Sequence, residues 1–269
     1  MHSRQIRVDR PDAELHVQCY GEPGTRAPVF FSHSILSSSA MWAAQVENLV
    51  QQGWHVICAD TRGHGQSSTT SPQADMQTLV SDTVAILDAL QLTQVHYVGL
   101  SLGGMSGFGL ALQHADRLAS ILLCDARADA PPDVALPWDE RIVTAQEHGC
   151  QALASATLER WFGKQFLESH PDIRKRLGDI AAATSINGFV ACARAIQTLN
   201  YLPQVGNIRL PTTLIVGSRD GVLPQAMQQL AQRIDNSVYE CIDDAGHLPN
   251  IDQPEAFDAA LLRHLHRHG

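Results

Sequence analysis

Val95-His-Tyr-Val-Gly-Leu-Ser101-Leu-Gly-Gly104 decides the reading of this chain. A short apolar run ends in Gly99-x-Ser101-x-Gly103, and a stretch rich in small residues follows, with Gly104, Ser106, Gly107 and Gly109. That is the pattern of a strand turning sharply into a helix with serine at the turn, a nucleophile elbow. The turn strains the serine backbone and exposes its hydroxyl. Side chains two residues to either side would collide with strand and helix, so glycine is needed there. Ser101 also falls at a helix N-terminus, where the dipole favours a developing negative charge.

A serine hydroxyl is a weak nucleophile and needs a base, and the base needs an orienting carboxylate. His247 in Asp243-Asp-Ala-Gly-His247, just after the last apolar run, is the candidate base. Asp220 in Gly217-Ser-Arg-Asp220 is the candidate carboxylate, and Ser101, Asp220, His247 follow the order nucleophile, acid, base. Asp125, at the end of the sixth strand, and Asp243 or Asp244 are its rivals. An oxyanion hole requires two backbone donors, one after the nucleophile and one from the loop after the third strand. Leu102 and Ile35 fill those positions. His33, beside Ile35, is expected to hydrogen-bond structurally under that loop.

Working outward, strand-like runs cover Gln5–Val8, Glu14–Tyr20, Pro28–His33, His55–Asp60, Gln94–Gly99, Ala119–Cys124, Thr212–Gly217 and Val238–Ile242. Helical patterns occupy Ala40–Gln52, Asp75–Leu90, Leu102–His114, Pro224–Arg233 and Pro254–His268. Strands alternating with helices imply an α/β fold, a mostly parallel eight-stranded sheet with helices on both faces. The first two runs lack an intervening helix and read as an antiparallel hairpin at one edge. From 127 to 195 no convincing strand appears, only helical patterns around Arg141–His148, Ala152–Phe162 and Ile173–Ala183. The expectation is a core of residues 1–126 and 196–269, with 127–195 a helical cap over the carboxyl edge of the sheet, where ligands of such sheets bind.

The chain has 269 residues, 44% of them hydrophobic, which excludes wholesale disorder. A net charge of −9 argues against nucleic acid or an acidic membrane surface as partner. No apolar run approaches the ~18 residues of a membrane span, and no hydrophobic signal core follows Met1, so a cytoplasmic location is expected. The six cysteines show no metal spacing and read as reduced, buried hydrophobes. His264, His266 and His268 read as a solvated helix end rather than a metal site. Neither metal nor organic cofactor is expected. Asp60-Thr-Arg-Gly-His-Gly-Gln-Ser67 lacks the spacing of a nucleotide loop and reads as a brace for the active-site floor. Oligomeric state is not legible.

These residues resemble the α/β-hydrolase superfamily across essentially the whole chain, through His33-Ser-Ile35, Asp60-Thr-Arg-Gly-His-Gly, Gly99-Leu-Ser-Leu-Gly-Gly, Gly217-Ser-Arg-Asp220 and Ala245-Gly-His247. Within it the chain is most similar to 3-oxoadipate enol-lactonases, through Leu122-Leu-Cys-Asp-Ala126, Trp138-Asp-Glu-Arg-Ile142, Glu159-Arg-Trp-Phe162, Asn187-Gly-Phe189 and His247-Leu-Pro-Asn-Ile-Asp252. The resemblance implies hydrolysis of a lactone ring in aromatic-compound breakdown, without metal or cofactor. In that family the oxyanion loop usually reads Ser-Leu-Gly; here it is Ser34-Ile-Leu36, with no glycine, which is expected to alter the wall of the acyl pocket. Trp138 and Arg141 stand three apart and would share a helix face, Arg141 to bind a substrate carboxylate and Trp138 to cover the ring. The competing reading pairs Arg141 with Asp139 or Glu140 and leaves Trp138 as seam filler. The expected function is a serine hydrolase cleaving an ester or lactone, such as an enol-lactone, through an acyl-enzyme. A general carboxylesterase, an acyl-homoserine-lactone hydrolase, a perhydrolase and a non-catalytic ligand receptor are the alternatives.

Overall fold

The central strands are buried along almost their whole length, as parallel strands covered on both faces must be. In the computed structural model, which describes residues 3–269, the chain begins with the hairpin β1 (Ser3–Arg10) and β2 (Ala13–Tyr20). It continues through β3 (Val29–Ser32), α1 (Ala43–Gln51), β4 (Val56–Ala59), the two-residue β5 (Ser68–Thr69), α2 (Met76–Ala89), β6 (Val95–Leu100), α3 (Leu102–Gln113) and β7 (Leu118–Cys124). Six helices follow: α4 (Pro132–Ala135), α5 (Pro137–His148), α6 (Gln151–Phe162), α7 (Lys164–Ser169), α8 (Pro171–Ala183) and α9 (Ile186–Gln197). The chain closes with β8 (Thr212–Gly217), α10 (Leu223–Ala231), β9 (Val238–Ile242), α11 (Pro249–Asp252) and α12 (Pro254–His268).

The sheet order is β1-β2-β4-β3-β6-β7-β8-β9, with β5 pairing β2. The β1–β2, β2–β4 and β2–β5 pairs are antiparallel and every other pair is parallel. The eight expected strands are present. β5 escaped the sequence reading because two residues carry no periodicity. The carboxyl ends of β6, β7 and β8 stand side by side, and each is followed by a residue of interest: Ser101, Asp125 and, three residues on, Asp220.

Local chemistry accounts for several element boundaries. Asp75 caps α2 by accepting from Thr78 N–H, and Thr78 answers through its hydroxyl, a capping box. Pro137 opens α5 and Gly149 (φ +76°) ends it. The loop 60–67 is fastened from below. Arg62, 1% exposed, binds both oxygens of Asp82 at 2.8 and 2.9 Å and reaches Asp12 at 2.9 Å. Asp60 accepts from the N–H groups of Ser39 and Gln66.

Two expectations are corrected. His264 is not part of a solvated helix end. It is 2% exposed, with Nδ1 2.8 Å from Thr213 Oγ1 and Nε2 2.8 Å from Ser120 Oγ, and that serine lies 2.7 Å from His96 Nδ1. It follows Phe257, Ala260 and Leu261 on the inward face of α12 at helical spacing, whereas His266 is exposed. All six cysteines are free, but Cys241 is exposed, because β9 is an edge strand with only one neighbour.

Burial sets how these imidazoles respond to acid. It holds His64 and His264 down at about 3 and His96 at about 4, with neighbouring His33, His96 and His268 adding repulsion. The native state keeps them neutral, while the unfolded chain protonates them below about pH 6.5. Between those limits the unfolded state binds more protons, so stability rises with pH, is complete above about 6.5 and drains away toward pH 4 and below. The urea midpoint is expected to fall steadily from pH 7 to 4.5, and His264→Gln to shallow that fall. A flat midpoint would contradict the buried neutral network.

Candidate active site

The turn after β6 carries Ser101 at φ +54°, ψ −112°, the strained left-handed conformation read from its glycine frame. Two contacts show why glycine flanks it. A Cβ on Gly99 would lie 2.3 Å from Gly103 O, and one on Gly103 would lie 2.5 Å from Ser32 O. The backbone holds the turn on both sides, with Ser101 N–H donating to Cys124 O at 2.8 Å and Gly103 N–H to His33 O at 3.1 Å.

Ser101 Oγ lies 2.9 Å from His247 Nε2, and His247 Nδ1 lies 2.6 Å from Asp220 Oδ2. The serine and histidine are 4% and 5% exposed. His247 is positioned by its backbone, whose N–H donates to Trp161 O at 2.8 Å, and by the Trp161 ring stacked 6.4 Å away. Asp220 is mostly enclosed. Burial alone would raise its carboxyl, yet His247, the Asp125 side chain and Arg160 together hold it below the usual range. Asp125 makes no hydrogen bond to His247. Its backbone also takes a positive φ, +45°, and its Oδ1 accepts from Gly217 N–H at 2.9 Å.

The backbone N–H groups of Ile35 and Leu102 have no acceptor among the described residues. Ile35 lines the cavity above Ser101; Leu36 does not. In the loop after β3, where no glycine stands, Leu36 takes φ +57° and buries its side chain in the core. The cost is backbone strain of about 1–3 kcal/mol. His33 is fully buried, with Nδ1 2.8 Å from Ser34 O and Nε2 accepting from Thr61 N–H at 2.8 Å, so it ties this loop to the 60–67 loop.

A cavity of about 490 Å³ opens over Ser101, lined on one side by Trp138, Arg141 and Arg160 from the helices between β7 and β8. Arg141 lies over the Trp138 ring with its guanidinium carbon 4.7 Å from the centroid. Neither Asp139 nor Glu140 pairs with it; Asp139 binds Arg194 at 3.0 Å instead. Among the described residues neither Arg141 nor Arg160 has a carboxylate partner. Burial lowers both, Arg160 to about 10 with Arg141 repelling it and Asp220 partly compensating, so both remain charged at neutral pH. Arg160 was missed in the sequence. Its signal is positional: at helical spacing from Leu153 and Thr157 and beside the buried Trp161, it stands at the margin of the packed face of α6, exposed but lining the cavity.

The α/β hydrolase fold family profile matches residues 27–254. The chain is 32% identical over 251 residues to 3-oxoadipate enol-lactonase 2 of Acinetobacter baylyi, spanning 93% of this chain and 92% of that one. The chain belongs to the α/β hydrolase family. Among solved members of that family it is similar to the enol-lactonase from Burkholderia xenovorans, with TM-score 0.87, 33% identity, 94% of this chain and 96% of that chain covered. It is also similar to a thermophilic esterase from Thermogutta terrifontis solved with malate bound, with TM-score 0.90, 27% identity and coverage of 99% and 100%. No described helix is long and apolar enough to cross a membrane.

The elbow geometry sets a first test. Gly103→Ala pushes a methyl group into the Ser32 carbonyl, which is backbone and has no rotamer to escape by. A loss of about 1–3 kcal/mol in unfolding free energy is expected from denaturant titration. Wild-type stability with Ala at this position would contradict the close approach.

Proposed function

We propose that the protein is a serine hydrolase that opens a carboxylate-bearing lactone, an enol-lactone of the 3-oxoadipate type, through an acyl-enzyme. The observation that carries this reading is the chain of hydrogen bonds from Ser101 through His247 to Asp220 at the floor of a cavity that also holds two unpaired arginines. The relatives named as enol-lactonases support the substrate class.

In this reading Ser101 Oγ attacks the lactone carbonyl carbon and His247 Nε2 takes its proton. Asp220 fixes the imidazole tautomer and stabilises the imidazolium. The N–H groups of Ile35 and Leu102 receive the oxyanion, an interaction worth about 3–4 kcal/mol per donor. Collapse breaks the ring C–O bond, and His247 returns the proton to the departing enol oxygen. The opened chain stays esterified to Ser101 until His247 deprotonates a water that attacks the ester carbonyl; the bond to Ser101 Oγ then breaks, His247 returns the proton to Oγ, and the released acid ionises to a carboxylate. The freed enol tautomerises to a ketone, which makes the opening effectively irreversible.

Residues 127–195 act here as a cap that selects substrate. Trp138 covers the ring, and Arg141 takes the free carboxylate by charge-assisted hydrogen bonds, with Arg160 adding positive potential from the opposite helix. The malate bound to the Thermogutta esterase is a carboxylate ligand on a related scaffold and agrees with an anion-binding pocket. A general carboxylesterase is the second reading, favoured by that same relative.

Rates on an anionic enol-lactone and a neutral aryl ester of matched size separate these readings. Ser101→Ala is expected to lose at least a thousandfold on both while staying folded; a variant retaining more would remove the nucleophile assignment. Arg141→Met is expected to lower kcat/KM about 10–100-fold on the anionic substrate alone. Equal losses on both substrates, or none, favour the general esterase.

A further inference from the structure

Asp125 stands beside the proposed triad without a place in it. It is fully buried at the end of β7, in a left-handed backbone conformation that asparagine and aspartate adopt more easily than other side chains. Its N–H donates to Ile215 O at 3.0 Å and its Oδ1 accepts from Gly217 N–H, so the carboxyl is locked across the ends of β7 and β8. That leaves Oδ2, which is buried and meets no N–H or hydroxyl donor. What it faces is the Asp220 carboxyl. Asp125, Asp220 and His247 each present one polar atom, and the three lie within 4.8 Å of one another. Two ionised carboxylates held this close in a buried site would repel strongly, and an unpartnered buried carboxylate oxygen would cost several kcal/mol. A single proton on Asp125 removes both penalties, turning Oδ2 from an orphan acceptor into a donor.

Resting on the proposed triad, we infer that Asp125 is a neutral carboxylic acid whose Oδ2–H donates to Asp220, making it a positioning residue for the carboxylate that orients His247. Burial first and the Asp220 charge second push the Asp125 carboxyl well above the usual range, while Asp220 is held low. The other groups around the pair act in the same sense or too weakly to reverse it. Asp252 adds negative charge, Cys124 and Tyr239 are neutral neighbours, and the Arg160 cation favours ionisation of Asp220. With one oxygen committed to His247 and the carboxyl steadied by Asp125, Asp220 keeps one rotamer. The shared hydrogen bond also spreads its charge, so it supports the imidazolium without making it too weak an acid to protonate the leaving oxygen.

Asp125→Asn is the decisive variant, because the amide is neutral, accepts from Gly217 N–H and still donates toward Asp220. It is expected to keep kcat/KM within about threefold and to leave the acid limb of the pH profile, which reports His247, where it was. A thousandfold loss, or an acid limb moved down by about a pH unit, would mean that an ionised Asp125 had been removed and would overturn the inference. Asp125→Ala removes the donor. It is expected to lower kcat about tenfold with KM nearly unchanged and to move the acid limb upward, as the Asp220 charge becomes more localised. If the alanine variant folds and matches the asparagine one in both, Asp125 positions nothing. Should alanine prevent folding, infrared spectroscopy at neutral pH replaces it. The wild type should carry a protonated-carboxyl carbonyl stretch that Asp125→Asn deletes, and an unchanged spectrum would overturn the assignment. Asp220→Asn serves as the control, with an expected loss of roughly 10³–10⁴ in kcat. Its failure to lose activity would remove the triad itself, an outcome distinct from any failure at Asp125.

Discussion

The left-handed turn at Ser101 is the constraint on which the rest of the site depends. A serine at φ +54° is unfavourable on its own and persists only because the surroundings over-determine it. Gly99 and Gly103 let strand and helix approach to distances that no Cβ would allow, and hydrogen bonds to Cys124 and His33 hold the two sides. The second of these bonds has a further consequence. Gly103 is tied to His33, His33 to Ser34 and Thr61, and the 60–67 loop to the buried Arg62–Asp82 pair. The elbow, the oxyanion loop and the floor beneath them therefore form one hydrogen-bonded unit, and a shift in one would disturb the others.

Charges of both signs line the cavity above that unit. The carboxyls of Asp125 and Asp220 lie beyond the ends of β7 and β8 and that of Asp252 at the end of α11, and burial pushes Asp252 up to about 6. Arg141 and Arg160 line the same cavity, neither within ion-pair distance of a carboxylate among the described residues, although Arg160 feels the Asp220 charge. Arg160 is exposed and Arg141 half-buried, so both cations keep access to solvent while they line the cavity.

Much of this was legible in the sequence because it depends on local pattern. Glycines two residues either side of Ser101, strands alternating with helices and the order Ser101, Asp220, His247 are short-range or ordinal signals. The structure places those three side chains in one hydrogen-bonded chain, and it places Trp138 and Arg141 on the cavity wall together. What sequence reading lost depends on three-dimensional neighbours. His264 was assigned to solvent from its closeness to the chain end, although its spacing from Phe257 and Leu261 put it on the buried face. Cys241 sits in an apolar run that proved to be an edge strand. Arg160 stands in Glu159-Arg-Trp-Phe162, where only the folded cavity shows which way it lies. Leu36 shows that backbone strain can replace a glycine, which no residue pattern announces.

The central claim is that Ser101, activated by His247, forms the covalent intermediate. Its most direct test is stoichiometric labelling with an activated phosphonate ester, which traps the attacking oxygen, followed by peptide mass mapping. The account predicts one adduct per chain, located on Ser101, with labelling slowed by orders of magnitude in His247→Ala. An adduct on another serine, such as Ser106 or Ser120, or hydrolysis of substrate by protein that Ser101 labelling leaves fully active, would contradict it.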